Sequence, residues 1–433
     1  MTTPSTSNPA QKTTSWKSVT PFYGYAALSF LFLTILLLFS TDALKGHFFQ
    51  PRILALTHLA TLGWGTMIIL GASHQLIPVM VDGSVYSEGL ARASFWVTGI
   101  GIPILVCSFW HFTTNWPMQL GAVLVLTGIS IFLINVLMSI PANKPPSIQI
   151  YFLATAACWL FLTALAGALL AFNFTYPIFS RPHLHYLRLH AHMGLGGWFL
   201  LLVIGVGSRL IPMFMISKYT NDRLLWWVYG LINLSLILFI TDGFITGIST
   251  RSFVYLLLGF SGVLLFANYC YKAWRKRIRK KLEVPMQFAM VAVGLLILPL
   301  IAASMLIFQI LTENQFAIRL TIVYGSLFLL GWMTALILGM TFKTLPFIIW
   351  NKVYFGLTGK KAAPSPKDMV NARLLQWQMA FYFPALILFE LGILFSNGYL
   401  IKSGASLFLL TAIVYNVNVG ALLMHKIKPG SNK

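Results

Sequence analysis

His58–Met80 reads HLATLGWGTMIILGASHQLIPVM, and its pattern returns twice, as HMGLGGWFLLLVIGVGSRLIPMF at His192–Phe214 and SLFLLGWMTALILGMTFKTLPFI at Ser326–Ile348. Trp64, Trp198 and Trp332 stand 134 residues apart each time. The same step relates Gly63, Gly197 and Gly331, then Gly71, Gly205 and Gly339, then Pro78, Pro212 and Pro346. One apolar helix pattern is thus written three times at one period, and a fixed period constrains a fold more than any single motif. Two copies open on histidine, His58 and His192, and the third on Ser326. A histidine inside an apolar helix needs partners for its ring nitrogens and marks a functional site by default.

Outward from this motif, the chain of 433 residues is 58% hydrophobic and 9% charged. Soluble domains carry roughly 25% charged residues, and a soluble protein this apolar would expose patches that drive association. Apolar runs long enough to span a bilayer lie at about 20–40, 54–78, 92–110, 117–139, 149–172, 190–214, 224–244, 252–270, 286–308, 320–346, 374–396 and 403–425. The first is too long for a signal peptide and is expected to be retained. The motif helix is second in each set of four. The expected fold is an all-α membrane protein of twelve transmembrane helices, one domain over 1–433. It comprises three four-helix repeats, about 20–140, 149–271 and 286–425, around a pseudo-threefold axis.

Most of the 30 Lys and Arg fall on one side of this arrangement, above all in KAWRKRIRKKLE at Lys272–Glu283 and in the loop Lys352–Arg373. The net charge of +21 is therefore read as topology and attraction to anionic headgroups, not as a nucleic-acid footprint. The chain is expected in the cytoplasmic (inner) membrane as a multi-pass protein with both termini cytoplasmic, its direct partner the lipid bilayer. Cys107, Cys158 and Cys270 lie in apolar runs without C-x-x-C spacing and suggest neither a disulfide framework nor zinc.

Neutral imidazole is the commonest protein ligand of haem iron and copper. HLHYLRLHAH at His183–His192 holds four histidines within ten residues. On one helix His190 and His192 point about 200° apart and serve opposite faces. His58 and His192, as repeat mates, are expected to share one site in the outer half of the membrane. His190 would face Tyr324 on the tenth helix, where a second metal would bind. The competing reading for each histidine is a bond to a backbone carbonyl. His183 and His185, expected in a loop before the sixth helix, join His190 as candidate metal ligands. His74 is read as an interfacial residue, and His47, His111 and His425 receive no role. Gln75, Arg209 and Lys343 share one repeat position and suit snorkelling to headgroups, with a polar gate or a lipid or quinone contact as the functional alternative. Asp242 and Glu390 are candidate proton-relay acids, with a structural protonated carboxyl as the alternative. The three tryptophans are read as packing around the central axis.

With this helix count, period and placement of motif helices, the chain resembles subunit I of the haem-copper oxidase superfamily, including its nitric oxide reductase branch. The H-x-H and L-I-P of the sixth helix also look like NnrS-type proteins. The resemblance implies that the second, sixth and tenth helices are innermost. It also implies a haem ligand at His58 and a copper ligand at His190 or His192. The family's tenth-helix histidines are absent, since Tyr324 and Ser326 stand there, and so is its seventh-helix pair. A conventional oxygen-reducing dinuclear centre cannot be built from these residues. The expected function is haem binding, with copper as a second candidate cofactor, in electron transfer or nitric oxide and nitrosative-stress handling. An oxidoreductase and an electron-donor subunit or cytochrome partner are implied on that reading. The alternative is a transporter or a haem- or copper-handling factor without redox turnover.

Overall fold

The computed structural model describes residues 13–141, 143, 145–355 and 364–426. Among these residues, twelve helices are long and apolar enough to cross a membrane. They are α1 (Trp16–Leu38), α2 (Pro51–Val81), α3 (Glu88–His111), α4 (Trp116–Met138), α5 (Ile148–Asn173), α6 (His183–Met215), α7 (Asp222–Ile245), α8 (Arg251–Arg275), α9 (Val284–Leu311), α10 (Phe316–Tyr354), α11 (Ala372–Leu394) and α12 (Gly398–Leu423). The β geometry among the described residues is a single bridge between Ser217 and Arg277. Each expected span is present. The bounds that differ most are the start of α6, at His183, and the end of α10, which runs on to Tyr354 and shortens the basic loop after it. Residues 356–363 of that loop lie outside the described ones.

The motif helices are the inner ones. The most apolar windows of α2, α6 and α10 are 67%, 67% and 72% buried, against 50% or less in the others. Indole N–H groups tie these three together. Trp64 on α2 donates to Thr334 Oγ1 on α10 at 3.0 Å, and Trp198 on α6 to Thr66 Oγ1 on α2 at 3.1 Å. All three tryptophans are buried, which fits the packing role expected of them. A buried indole needs such an acceptor.

The motif glycines permit close helix approach, as membrane interfaces require. A Cβ on Gly71 would lie 2.6 Å from Phe22 Cβ of α1, and one on Gly339 2.6 Å from Phe288 Cβ of α9. Gly205 stands in the same relation to Phe152 of α5. In each case the second motif glycine seats a phenylalanine of the preceding helix.

Each inner helix also contains a stretch of wide, i→i+5 turns: Leu59–Thr66, Met193–Leu200 and Leu327–Met333. The three stretches start in one register, directly after His58, His192 and Ser326. Such π-turns are rare and concentrate at functional sites.

Candidate functional site

Between the inner helices, at the end of the bundle where α2, α6 and α10 begin, lies a cavity of about 480 Å³. That is within the usual range for small-molecule and cofactor sites. Its walls are overwhelmingly apolar, and its polar side chains include His58, Arg188, His190, His192, Tyr324 and Ser326. A second cavity of about 130 Å³, lined by Tyr23, Ser73, Trp332 and Thr341 among others, holds no histidine.

The histidines are oriented by backbone carbonyls. His58 Nδ1 bonds Leu54 O at 2.7 Å, His192 Nδ1 bonds Arg188 O at 2.8 Å, and His190 Nδ1 bonds Thr163 O of α5 at 3.0 Å. A carbonyl only accepts, so each ring donates from Nδ1 and carries its lone pair on Nε2. This is the orienting arrangement typical of metal-binding histidines. His74 makes the same bond to Leu70 O, so the carbonyl fixes which ring nitrogen keeps its lone pair and does not by itself mark a ligand site.

The structure exchanges the expected roles of His190 and His192. His58 faces His190, with ring centroids 6.4 Å apart and planes within 19°. His192 instead faces Tyr324, whose hydroxyl lies 3.3 Å from His192 Nε2 with ring planes within 16°. The reason is geometric. Repeat mates such as His58 and His192 line the same cavity, but each ring packs against the next inner helix and not against the other. The residue that meets each stands on the next inner helix, at 190 for 58 and at 324 for 192. Among the described residues the Nε2 atoms of His58 and His190 have no hydrogen-bond partner, whereas that of His192 accepts from Tyr324.

The centroid separation of His58 and His190 is close to that of two imidazoles sharing one metal. Two imidazole–metal bonds of about 2 Å, with about 1 Å from each coordinating nitrogen to its ring centre, separate the centroids by about 6 Å. The flanking residues hold these rings in place. His58 stacks on Phe109 at 4.4 Å. A Cβ at Gly167 would lie 2.8 Å from His190 Cε1, so only glycine leaves room for that ring.

The other candidates lie apart from this pair. His183 and His185 belong to the first turn of α6 and not to a loop. His183 bonds Asn173 through Nδ1 and Leu170 O through Nε2. His185 bonds Arg188 through Nδ1 and Phe244 O through Nε2. With both nitrogens engaged, neither offers a lone pair beside His190. Among the described residues no group of three or more His, Cys, Asp or Glu converges as a metal site.

His74 is fully buried and not interfacial, bonded to Leu70 O and packed on Phe132 and Phe22. The helix continues seven residues past it, so it never reaches the surface. Asp242 lies one turn from the end of α7 and pairs with Arg251 at 3.1 Å, so it is not deep in a helix. Glu390 accepts from Ser326 Oγ at 2.8 Å, and its other oxygen is buried without a partner. Lys343 pairs with Glu283 and Gln75 is buried, which leaves Arg209 as the exposed member of that trio.

No family model matches the sequence, and no curated protein does. The fold does match a solved one. A chain from the cryo-EM structure of a heme-copper terminal oxidase dimer is similar over 95% of this chain and 85% of that chain, with TM-score 0.67 and 11% identity. The chain has the twelve-helix fold of haem-copper oxidase subunit I.

Proposed function

We propose that this protein binds haem between α2 and α6, with His58 and His190 as the residues that would hold it. The observation that carries the reading is the facing pair, 6.4 Å apart with near-parallel rings, at the wall of an apolar cavity of cofactor size. Bound there, haem supplies one-electron chemistry. The protein's part is to hold the two imidazoles through Leu54 O and Thr163 O, to keep water from the site with apolar walls, and to fix Nε2 as the coordinating atom.

Haem held by two histidines would supply electron transfer, the chemistry these residues suit best. An electron-donor subunit or cytochrome is then the expected partner. Nitric oxide handling, as in NnrS-type proteins, would require one histidine to yield its place. Copper has weaker support, because His183 and His185 are hydrogen-bonded elsewhere and Tyr324 engages His192. A relay role for Glu390 draws support from its unpartnered buried oxygen and its bond to Ser326 on the cavity wall. Asp242 also keeps one buried oxygen without a partner, but it is paired with Arg251 and does not line the cavity, and has less.

The visible spectrum of the purified protein tests the reading. Low-spin, six-coordinate haem at one per chain is the expected result. A colourless protein that binds stoichiometric copper would instead favour a metal-handling factor. Orientation is open to reporter fusions: one after Lys281 should be cytoplasmic and one before His183 external, in line with the charge asymmetry. The reverse pattern would invert the proposed topology.

A further inference from the structure

Arg188 is the one full charge among the residues lining the large cavity. No carboxylate lies within ion-pair distance of it among the described residues. Of the acids at this end of the bundle, Asp242 is paired with Arg251 and Asp42 with Lys45. The Arg188 guanidinium donates from Nε to His185 O at 3.1 Å and from one Nη to His185 Nδ1 at 2.7 Å. His185 donates from Nε2 to Phe244 O, so its ring is neutral and brings no counter-charge. Two of the five N–H groups of an arginine are thereby accounted for.

Space beside the guanidinium is kept by Gly247, whose φ is +90° and whose added Cβ would lie 3.2 Å from Arg188 Nη. Nearby Arg181 binds the carbonyls of Phe244 and Ile245 and adds positive potential. An unpaired cation against an apolar wall is costly. An anion in the cavity would relieve that cost, through charge-assisted bonds strengthened by the low dielectric.

We propose that Arg188 is the anion anchor of this cavity, holding a carboxylate-type group through its free N–H donors. Resting on the haem reading above, the expected source is a carboxylate of the porphyrin ligated by His58 and His190. The other source of the same chemistry is a separate small carboxylate near His192 and Tyr324.

The test compares purified wild type, Arg188→Met and Arg188→Lys, each reconstituted with haem or with haem dimethyl ester, which lacks free carboxylates. Wild type should hold haem about tenfold or more tighter than the ester. Arg188→Met should bind the two equally, and Arg188→Lys should keep part of the preference. Comparing the two ligands within one variant cancels any damage to folding. A second arm follows the thermal midpoint of each apoprotein with added formate. Wild type rising while Arg188→Met does not, together with no preference for haem over the ester, assigns the anchor to a separate anion. The proposal is overturned if Arg188→Met keeps the wild-type preference, or if neither arm separates it from wild type. A wild type that gives no low-spin spectrum with either porphyrin defeats the haem reading alone, and the formate arm still decides the role of Arg188.

Discussion

Trp198 of α6 donates to Thr66 of α2 as Trp64 of α2 donates to Thr334 of α10, at 3.1 and 3.0 Å. The acceptors are themselves repeat mates, and the third place in their series, Leu200, carries no acceptor for Trp332. The bonds therefore tie two of the three inner-helix interfaces. Double-mutant cycles of Trp198→Phe with Thr66→Val, and of Trp64→Phe with Thr334→Val, should each give coupling of about 0.5–1.5 kcal/mol. Strict additivity in unfolding measurements at both pairs would show that the indole bonds contribute nothing. An experimental structure should also superpose the three four-helix sets after a rotation of about 120° that carries Trp64 onto Trp198 and Trp332.

Replacing His58 or His190 by alanine should each remove the six-coordinate low-spin signature of bound haem, since one lost axial ligand leaves a five-coordinate iron. His192→Ala should keep that signature, because its Nε2 is engaged by Tyr324, and His74→Ala should keep it as well. Visible and EPR spectra decide the matter. Loss in His192→Ala with retention in His190→Ala would restore the pairing of repeat mates.

Gly71→Ala places a methyl against Phe22, and Gly339→Ala against Phe288 and also the Pro285 carbonyl, 2.7 Å away. Each should destabilise the fold by about 1–3 kcal/mol. Adding Phe22→Ala should recover part of the first loss, because a side chain is the obstacle. Phe288→Ala should recover less of the second, because the carbonyl stays. Equal recovery at both sites, read from thermal unfolding in detergent, would contradict the contact geometry.

Glu283, just before α9, ties the basic segment to α10. Partial burial alone would raise its pKa, but the bond to Lys343 and the charges of Lys343, Arg279 and Lys367 outweigh burial and hold it below the usual carboxylate value. A depressed acid contributes stability above its ordinary pKa and loses it as pH falls through the folded value. The thermal midpoint should therefore decline on the acid side, and Glu283→Gln should flatten that limb. An unchanged acid limb in the variant would show that other carboxylates govern it.

The spans were legible because a bilayer demands long apolar helices, and the inner helices because Trp64, Trp198 and Trp332 recur at one step. The start of α6 was not, since HLHYLRLH is too polar to read as part of a span. The pairing of His58 with His190 was hidden by a natural assumption, that equivalent residues meet. Around a ring of three helices each residue meets its neighbour's different position, and the equal steps from His58 to His190 and from His192 to Tyr324 carry that information in the numbering. The fate of His74 depended on how far α2 continues beyond it. The occupied nitrogens of His183 and His185 depended on Asn173, Leu170, Arg188 and Phe244, contacts made by folding and not by sequence proximity, Arg188 excepted.

A turn closed by an i→i+5 bond holds one residue more than an ordinary helical turn. Three helices carry that surplus from the same starting place, after His58, His192 and Ser326, although the residues within the stretches differ. The widening lies directly beneath His58, His192 and Ser326, all three of which line the cavity. It shifts the face presented by everything that follows on each inner helix relative to the residue that opens it.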